Sequence, residues 1–93
     1  MYGIQIAPHW VFNGVLGHGA MVQVCATLPN NLIAFEYCKP LADWWLDTID
    51  GLPEELIVDG HIKVWDSPGI GVVLNEEKTR PYLDPEDLDF FDY

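Results

Sequence analysis

Two side chains early in the chain, His9 and Glu36, are of the types that move protons. Histidine titrates near neutrality and suits general acid or base work. A carboxyl held in an apolar site can keep its proton and donate a hydrogen bond as a neutral acid. Their positions matter as much as their types. Gly3 to Ala7 (Gly-Ile-Gln-Ile-Ala) reads as a short strand stopped by Pro8, and His9 follows it by two residues. Leu32-Ile33-Ala34-Phe35 is a continuous apolar run, the pattern of a strand buried on both faces, and Glu36 follows it directly. Parallel α/β proteins gather their active sites just beyond the carboxyl ends of their strands. Neighbouring strands lie about 4.8 Å apart, so the two side chains would face a common ligand as an acid–base pair. The same positions also suit a loop histidine with local hydrogen bonds and a glutamate that ends a strand in water.

The remaining reactive types carry less. His18, between Gly17 and Gly19, fits a metal or pocket ligand, or simply a helix-entry loop. His9, His18 and Glu36 together would make a small metal-binding module. His61 follows an Asp-Gly turn and should face solvent. Trp44 and Trp45 would form a carbohydrate platform or bury a helix face, the commoner use of large aromatics. Cys25 falls among apolar helix positions and reads as packing. Cys38, two residues past Glu36, lies near the same site but lacks the setting of a catalytic thiol. Gly69-Ile70-Gly71 lacks the third glycine and the strand–helix context of a dinucleotide loop. No HExxH, EF-hand loop, P-loop or GxSxG occurs.

The elements that would hold His9 and Glu36 follow from periodicity and turn chemistry. Gly14, Gly17 and Gly19 suggest a loop after the first strand. From Gly19 to Leu28 the apolar residues Ala20, Met21, Val24, Cys25 and Leu28 recur at helical spacing, and Pro29-Asn30-Asn31 breaks the helix. Strand, helix and strand make one βαβ unit with a right-handed crossover. Two parallel strands and one helix cannot cover both faces of a parallel sheet, so the chain reads as a slice of a larger α/β architecture. Pro40 to Ile49 is predicted as a short helix with proline in its first turn. Leu56 to Val64 carries a hairpin signal, with Asp59-Gly60 suited to a type I′ turn. Asp66 to Gly71 is a turn-rich loop, and Asn75 is placed to cap a short helix through Arg80. Three segments result: a βαβ unit over 1–39, a helix, hairpin and return segment over 40–83, and an acidic aromatic tail over 84–93. The tail packs five acids among Leu88, Phe90, Phe91 and Tyr93, and would be either disordered or docked through its aromatics.

Composition narrows the function classes. The chain has 93 residues, 15 Asp and Glu against 4 Lys and Arg, and a net charge of −11. Such a surface repels a phosphate backbone and an anionic membrane alike, so neither nucleic acid nor membrane is expected as a partner. No apolar run approaches the roughly 20 residues of a membrane span. The start, Met1-Tyr2-Gly3-Ile4, has no basic segment of the kind that opens a signal peptide. Two cysteines without CxxC spacing make no disulfide framework, and a reducing, cytoplasmic setting is expected. About half of the residues are apolar and 13% aromatic, a folding composition despite the charge.

Taken together in order, Ala7-Pro8-His9-Trp10, Asn13-Gly14, a helix ending Ala26-Thr27-Leu28-Pro29-Asn30, and Leu32-Ile33-Ala34-Phe35-Glu36-Tyr37 resemble a known family. They look like the seventh and eighth strands of the enolase superfamily barrel, in the branch of mandelate racemase, muconate lactonizing enzyme and the acid-sugar dehydratases. The short helix, Val58-Asp59-Gly60-His61-Ile62-Lys63-Val64 and Asp66-Ser67-Pro68-Gly69-Ile70-Gly71-Val72-Val73-Leu74-Asn75 resemble the ending of the same family. The resemblance runs from about Gly3 to Leu83. It implies a partial TIM-type barrel followed by the helix, hairpin and return segment. It implies that His9 acts as general base or acid at the carbon beside a substrate carboxylate. Glu36 would hydrogen-bond that carboxylate and help stabilise the enediolate, with Trp10 and Asn13 as weaker substrate-contacting positions. The implied reaction is dehydration or racemisation of a hydroxy acid or sugar acid. The implied cofactor is Mg²⁺, whose family ligands sit on the third, fourth and fifth strands and have no counterpart here. The second-strand lysine, the sixth-strand aspartate that pairs with the histidine and the capping domain have none either. These 93 residues alone are therefore expected to be inactive and to associate with the rest of a barrel or with themselves. A non-catalytic, self-associating interaction domain is the alternative.

Overall fold

The computed structural model describes residues 2–10, 14–38 and 42–93. The elements run β1 (His9–Trp10), α1 (Gly14–Thr27), β2 (Glu36–Tyr37), a 3₁₀ segment (Asp43–Thr48), β3 (Ile49–Asp50), β4 (Ile57–Val58), β5 (His61–Ile62), β6 (Val73–Leu74) and α2 (Glu76–Thr79). A second 3₁₀ turn, Arg80–Tyr82, follows α2 directly. This is an α/β chain, as expected, with short ladders and no closed barrel among the described residues.

The βαβ unit is present, but its parts sit differently from expectation. Parallel pairing is carried by β1 and β2 themselves, with His9 opposite Glu36 and Trp10 opposite Tyr37. The two apolar runs before them contribute only one bridge, Ile6 to Leu32. Ile6 N–H donates to the Asn31 carbonyl and Ile33 N–H to the Ile6 carbonyl, both at 2.8 Å. His9 and Glu36 therefore belong to the ladder rather than trailing it. Helix α1 starts at Gly14, so the expected glycine loop is its first turns. Its buried stripe is Val15, His18, Gly19, Val22 and Cys25, while Val24 is half-exposed. Of the apolar positions expected to face inward, only Cys25 is fully buried. Tertiary packing decided both points. A Cβ on Gly19 would lie 2.6 Å from a Val72 side-chain methyl, so the helix is glycine there because Val72 presses on it.

The core centres on Val15, Ile49 and Val72, with Trp45 and Trp65 packed around them. Gln23 donates to the Trp65 carbonyl at 3.1 Å, tying α1 to the chain beyond the hairpin. The hairpin forms as its turn chemistry requires. Ile57 pairs with Ile62 and Val58 with His61, and Asp59 and Gly60 both adopt positive φ, at 50° and 73°. Trp44 and Trp45 do not form an exposed platform: Trp44 stacks on Tyr82, 4.0 Å between centroids, and Trp45 joins the core. The helix predicted over Pro40 to Ile49 is a 3₁₀ segment over Asp43–Thr48: Pro40 and Leu41 lie outside the described residues, Ala42 is extended, and Ile49 already belongs to β3. The aromatic tail is docked. Phe91 is buried under the Arg80 guanidinium, which also donates to the Phe91 carbonyl and pairs with Asp92 at 2.9 Å.

Asn75 caps α2 as its type predicts: its Oδ1 accepts from Lys78 N–H at 2.9 Å. Its Nδ2 donates to Asp50 at 2.7 Å and, ahead of Lys78, holds that exposed carboxyl below the usual carboxylate range. Replacing Asn75 with alanine is expected to lower stability by about 1 kcal/mol, read as a lower urea midpoint at unchanged slope. The Asp50 carboxyl should titrate nearer its ordinary value in the same variant. An unchanged midpoint would show that neither hydrogen bond matters.

Candidate active site

Direct pairing of His9 with Glu36 in the parallel ladder puts their side chains on the same side of it. His9 Nδ1 and Glu36 Oε2 are 2.6 Å apart, a charge-assisted hydrogen bond by its length. An ionised carboxylate only accepts, so the proton of this bond belongs to Nδ1, and the basic lone pair of a neutral ring is at Nε2. The two side chains are 62% and 57% exposed. An ion pair that open stabilises a fold by roughly 0–1 kcal/mol, so folding gives little reason for it. Its geometry is that of an oriented, accessible base: a carboxylate fixes the tautomer and the second nitrogen remains for a substrate proton.

Behind the pair the molecule is aromatic. Trp10 is 2% exposed and donates its indole N–H to the Gly14 carbonyl at 3.2 Å. It stacks on Tyr37, with centroids 5.4 Å apart. Trp10 thus supports the site from inside the fold, rather than presenting its face to a substrate. Asn13, the other expected contact, lies outside the described residues. His18 is no loop residue. It is fully buried against Trp10, Phe35 and Tyr37, and burial pulls its pKa below the ordinary histidine value. Of the readings its position allowed, a pocket or metal ligand or a helix-entry loop, the place behind the pair is nearer the first, but the aromatic cage was not foreseen because its walls come from both strands.

The other reactive types stand apart from the pair. Cys25 is buried, and burial pushes its thiol up, consistent with packing. His61 is exposed, with its Nδ1 at 2.8 Å from the Asp59 carbonyl. A mostly apolar cavity of about 420 Å³ lies between α1, the approach to β2 and the hairpin, and is not lined by His9 or Glu36. Among the described residues no three His, Cys, Asp or Glu side chains converge as metal ligands, so His9, His18 and Glu36 do not form a metal module. Mg²⁺ needs several oxygen ligands in near-octahedral array, and the residues present do not fit it. Among the described residues no helix is long and apolar enough to cross a membrane.

Comparison with known proteins agrees with the resemblance read from the motifs. Residues 1–78 match the family described as enolase C-terminal domain-like. Over 83 residues the chain is 34% identical to D-xylonate dehydratase of Haloferax volcanii, covering 89% of this chain and 19% of that protein. The chain thus spans about a fifth of the length of the relative it matches. No solved structure matches it. With a family match that takes in both strands, the helix between them, the hairpin and most of α2, the chain belongs to the enolase C-terminal domain-like family.

Proposed function

We propose that this chain is the last βαβ unit and closing segment of an acid-sugar dehydratase built on a TIM-type barrel. In that enzyme His9 moves the proton at the carbon beside the substrate carboxylate. The observation that carries the reading is the His9–Glu36 contact at the register point of the only parallel ladder among the described residues. In this chain Glu36 holds Nδ1–H, the place that the family gives to a sixth-strand aspartate, and this leaves Nε2 to take the substrate proton or return it. The other oxygen of Glu36 hydrogen-bonds the substrate carboxylate when it carries a proton, since two ionised carboxylates would repel. Abstraction beside a carboxylate builds a dianionic intermediate that needs strong electrophilic stabilisation. This chain's residues supply the proton transfer and one hydrogen bond. The remaining stabilisation belongs to elements outside it, so these residues alone do not turn over substrate.

Two further observations support the reading. The radius of gyration is 15.3 Å, against about 12 Å for a compact domain of this length. Ile4 and Ile33, in the runs leading to the two strands, are 67% and 62% exposed. A two-stranded parallel sheet with bare apolar neighbours is a surface for further strands. The remaining barrel strands are the occupants we propose for it.

The test is a graft. Residues 1–83 replace the matching segment of the Haloferax enzyme, and dehydration of D-xylonate and other aldonic acids is followed. Activity in the graft supports the reading, and the isolated 93-residue chain should show none. A folded, metal-loaded graft without turnover on any sugar acid would overturn it.

A further inference from the structure

His18 is fully buried, yet neither ring nitrogen has a hydrogen-bond partner among the described residues. Leaving buried polar atoms unsatisfied destabilises a fold, and a phenylalanine would fill the same aromatic cage without that cost. Packing alone therefore does not account for an imidazole here. Its neighbours suggest what does. The ring lies 4.7 Å from Trp10 and 5.4 Å from Tyr37, centroid to centroid. These are the residues that follow His9 and Glu36, and they are each other's register partners in the ladder. Phe35, at 5.4 Å, closes the third side. Whatever moves His18 moves the aromatic pair directly behind the reacting pair.

We propose that His18 is a positioning residue whose neutral form seats Trp10 and Tyr37 and so keeps His9 and Glu36 in register, and whose protonation unseats them. The inference rests on the reading of His9 and Glu36 as the reacting pair. The groups that face the imidazole are the Trp10 indole from β1 and Phe35 and the Tyr37 phenol from β2 and its approach. None is charged at neutral pH. Tyr37 is held further from ionisation by burial first and Cys38 second. An imidazolium in the closed cage would find only aromatic faces, weaker partners than the water it gives up, so desolvation wins. The closed cage thus favours neutral His18, while an opened cage lets the ring titrate in the ordinary histidine range. Closure is fully favoured above that range and weakens as pH falls through it.

The test uses the ¹⁵N-labelled full chain and the Trp10 indole N–H, which is bonded to the Gly14 carbonyl in the closed cage. Its hydrogen-exchange protection factor should be flat above pH ~7 and fall about tenfold per pH unit below ~6.5, the slope for one proton. In His18→Phe the protection should stay flat from pH 7 to 5. A wild-type factor that does not change over this range overturns the proposal, as does the same fall in His18→Phe. Should that variant fail to fold, His18→Leu takes its place. The wild-type imidazole spectrum gives a further check, since a His18 ring that titrates with Trp10 unmoved also overturns the proposal. No substrate enters these measurements. A missing pH response defeats the positioning role alone, whereas an inactive graft with an intact response defeats only the proposed reaction.

Discussion

Replacing His9 with asparagine in the active graft is expected to lower kcat by about 10²–10⁴-fold, the range for removing a general acid–base group. The asparagine amide can still donate to Glu36 from near the position of Nδ1, so the ladder and the carboxylate keep their places. What disappears is the basic lone pair at Nε2. KM should change little, because Glu36 and elements outside this chain hold the substrate carboxylate. Stability should hardly move either, since the His9–Glu36 pair is more than half exposed and such pairs stabilise weakly. The combination of collapsed kcat, steady KM and unchanged melting temperature separates lost proton transfer from misfolding. A loss smaller than about tenfold would remove His9 from the chemistry.

Gly71→Ala should have the largest effect on the fold itself. Gly71 has φ of 77°, a left-handed conformation that costs a residue with a Cβ about 1–2 kcal/mol. The added methyl would also lie 2.2 Å from Cδ1 and Nε1 of the Trp65 ring. Trp65 has little room to give. Its indole N–H donates to the Ile70 carbonyl at 2.7 Å, its carbonyl accepts from Gln23, and its ring packs on the core. Forcing such a ring aside costs roughly 1–3 kcal/mol more. Together these are a large share of the roughly 5–14 kcal/mol that holds a domain of this size. Thermal unfolding followed by circular dichroism should show a midpoint at least ~10 °C lower. A fall of under about 3 °C would mean that Trp65 swings away freely.

Which parts of this architecture could be read from the residues depended on how far each one's partners lie along the chain. The Asp59-Gly60 hairpin and the Asn75 cap were legible because their chemistry is complete within four residues. The βαβ order and the pairing of His9 with Glu36 were legible because strand-end chemistry has a regular place in parallel sheets. The exact ladder was not: short apolar runs mark a strand, but the partner decides which residues pair. Glycine's poor helix propensity argued against a helix at Gly14 to Gly19, and Val72, more than fifty residues away, overrode it. Between two glycines His18 fitted a helix-entry loop as well as a pocket ligand, because nothing local announced Trp10, Phe35 and Tyr37 around it. Trp44 was assigned to a buried helix face or a sugar platform, and its partner proved to be Tyr82 in the second 3₁₀ turn.

The His9–Glu36 pair is joined across 27 positions of chain, whereas the hairpin closes across a two-residue turn. Hairpins form in about 1–10 μs, but parallel strands meet only after a whole crossover has been laid down between them. Loop closure opposes that meeting until α1 packs, so the pair belongs to the late steps of folding. A molecule caught part-way would already have its hairpin and its capped α2, yet no oriented base. Stopped-flow refolding should then show the Trp10 environment maturing after the β4–β5 signal, and the reverse order would refute this. The His9–Glu36 contact is in that sense withheld until assembly of this unit is finished, an ordering set by chain topology rather than by any single residue.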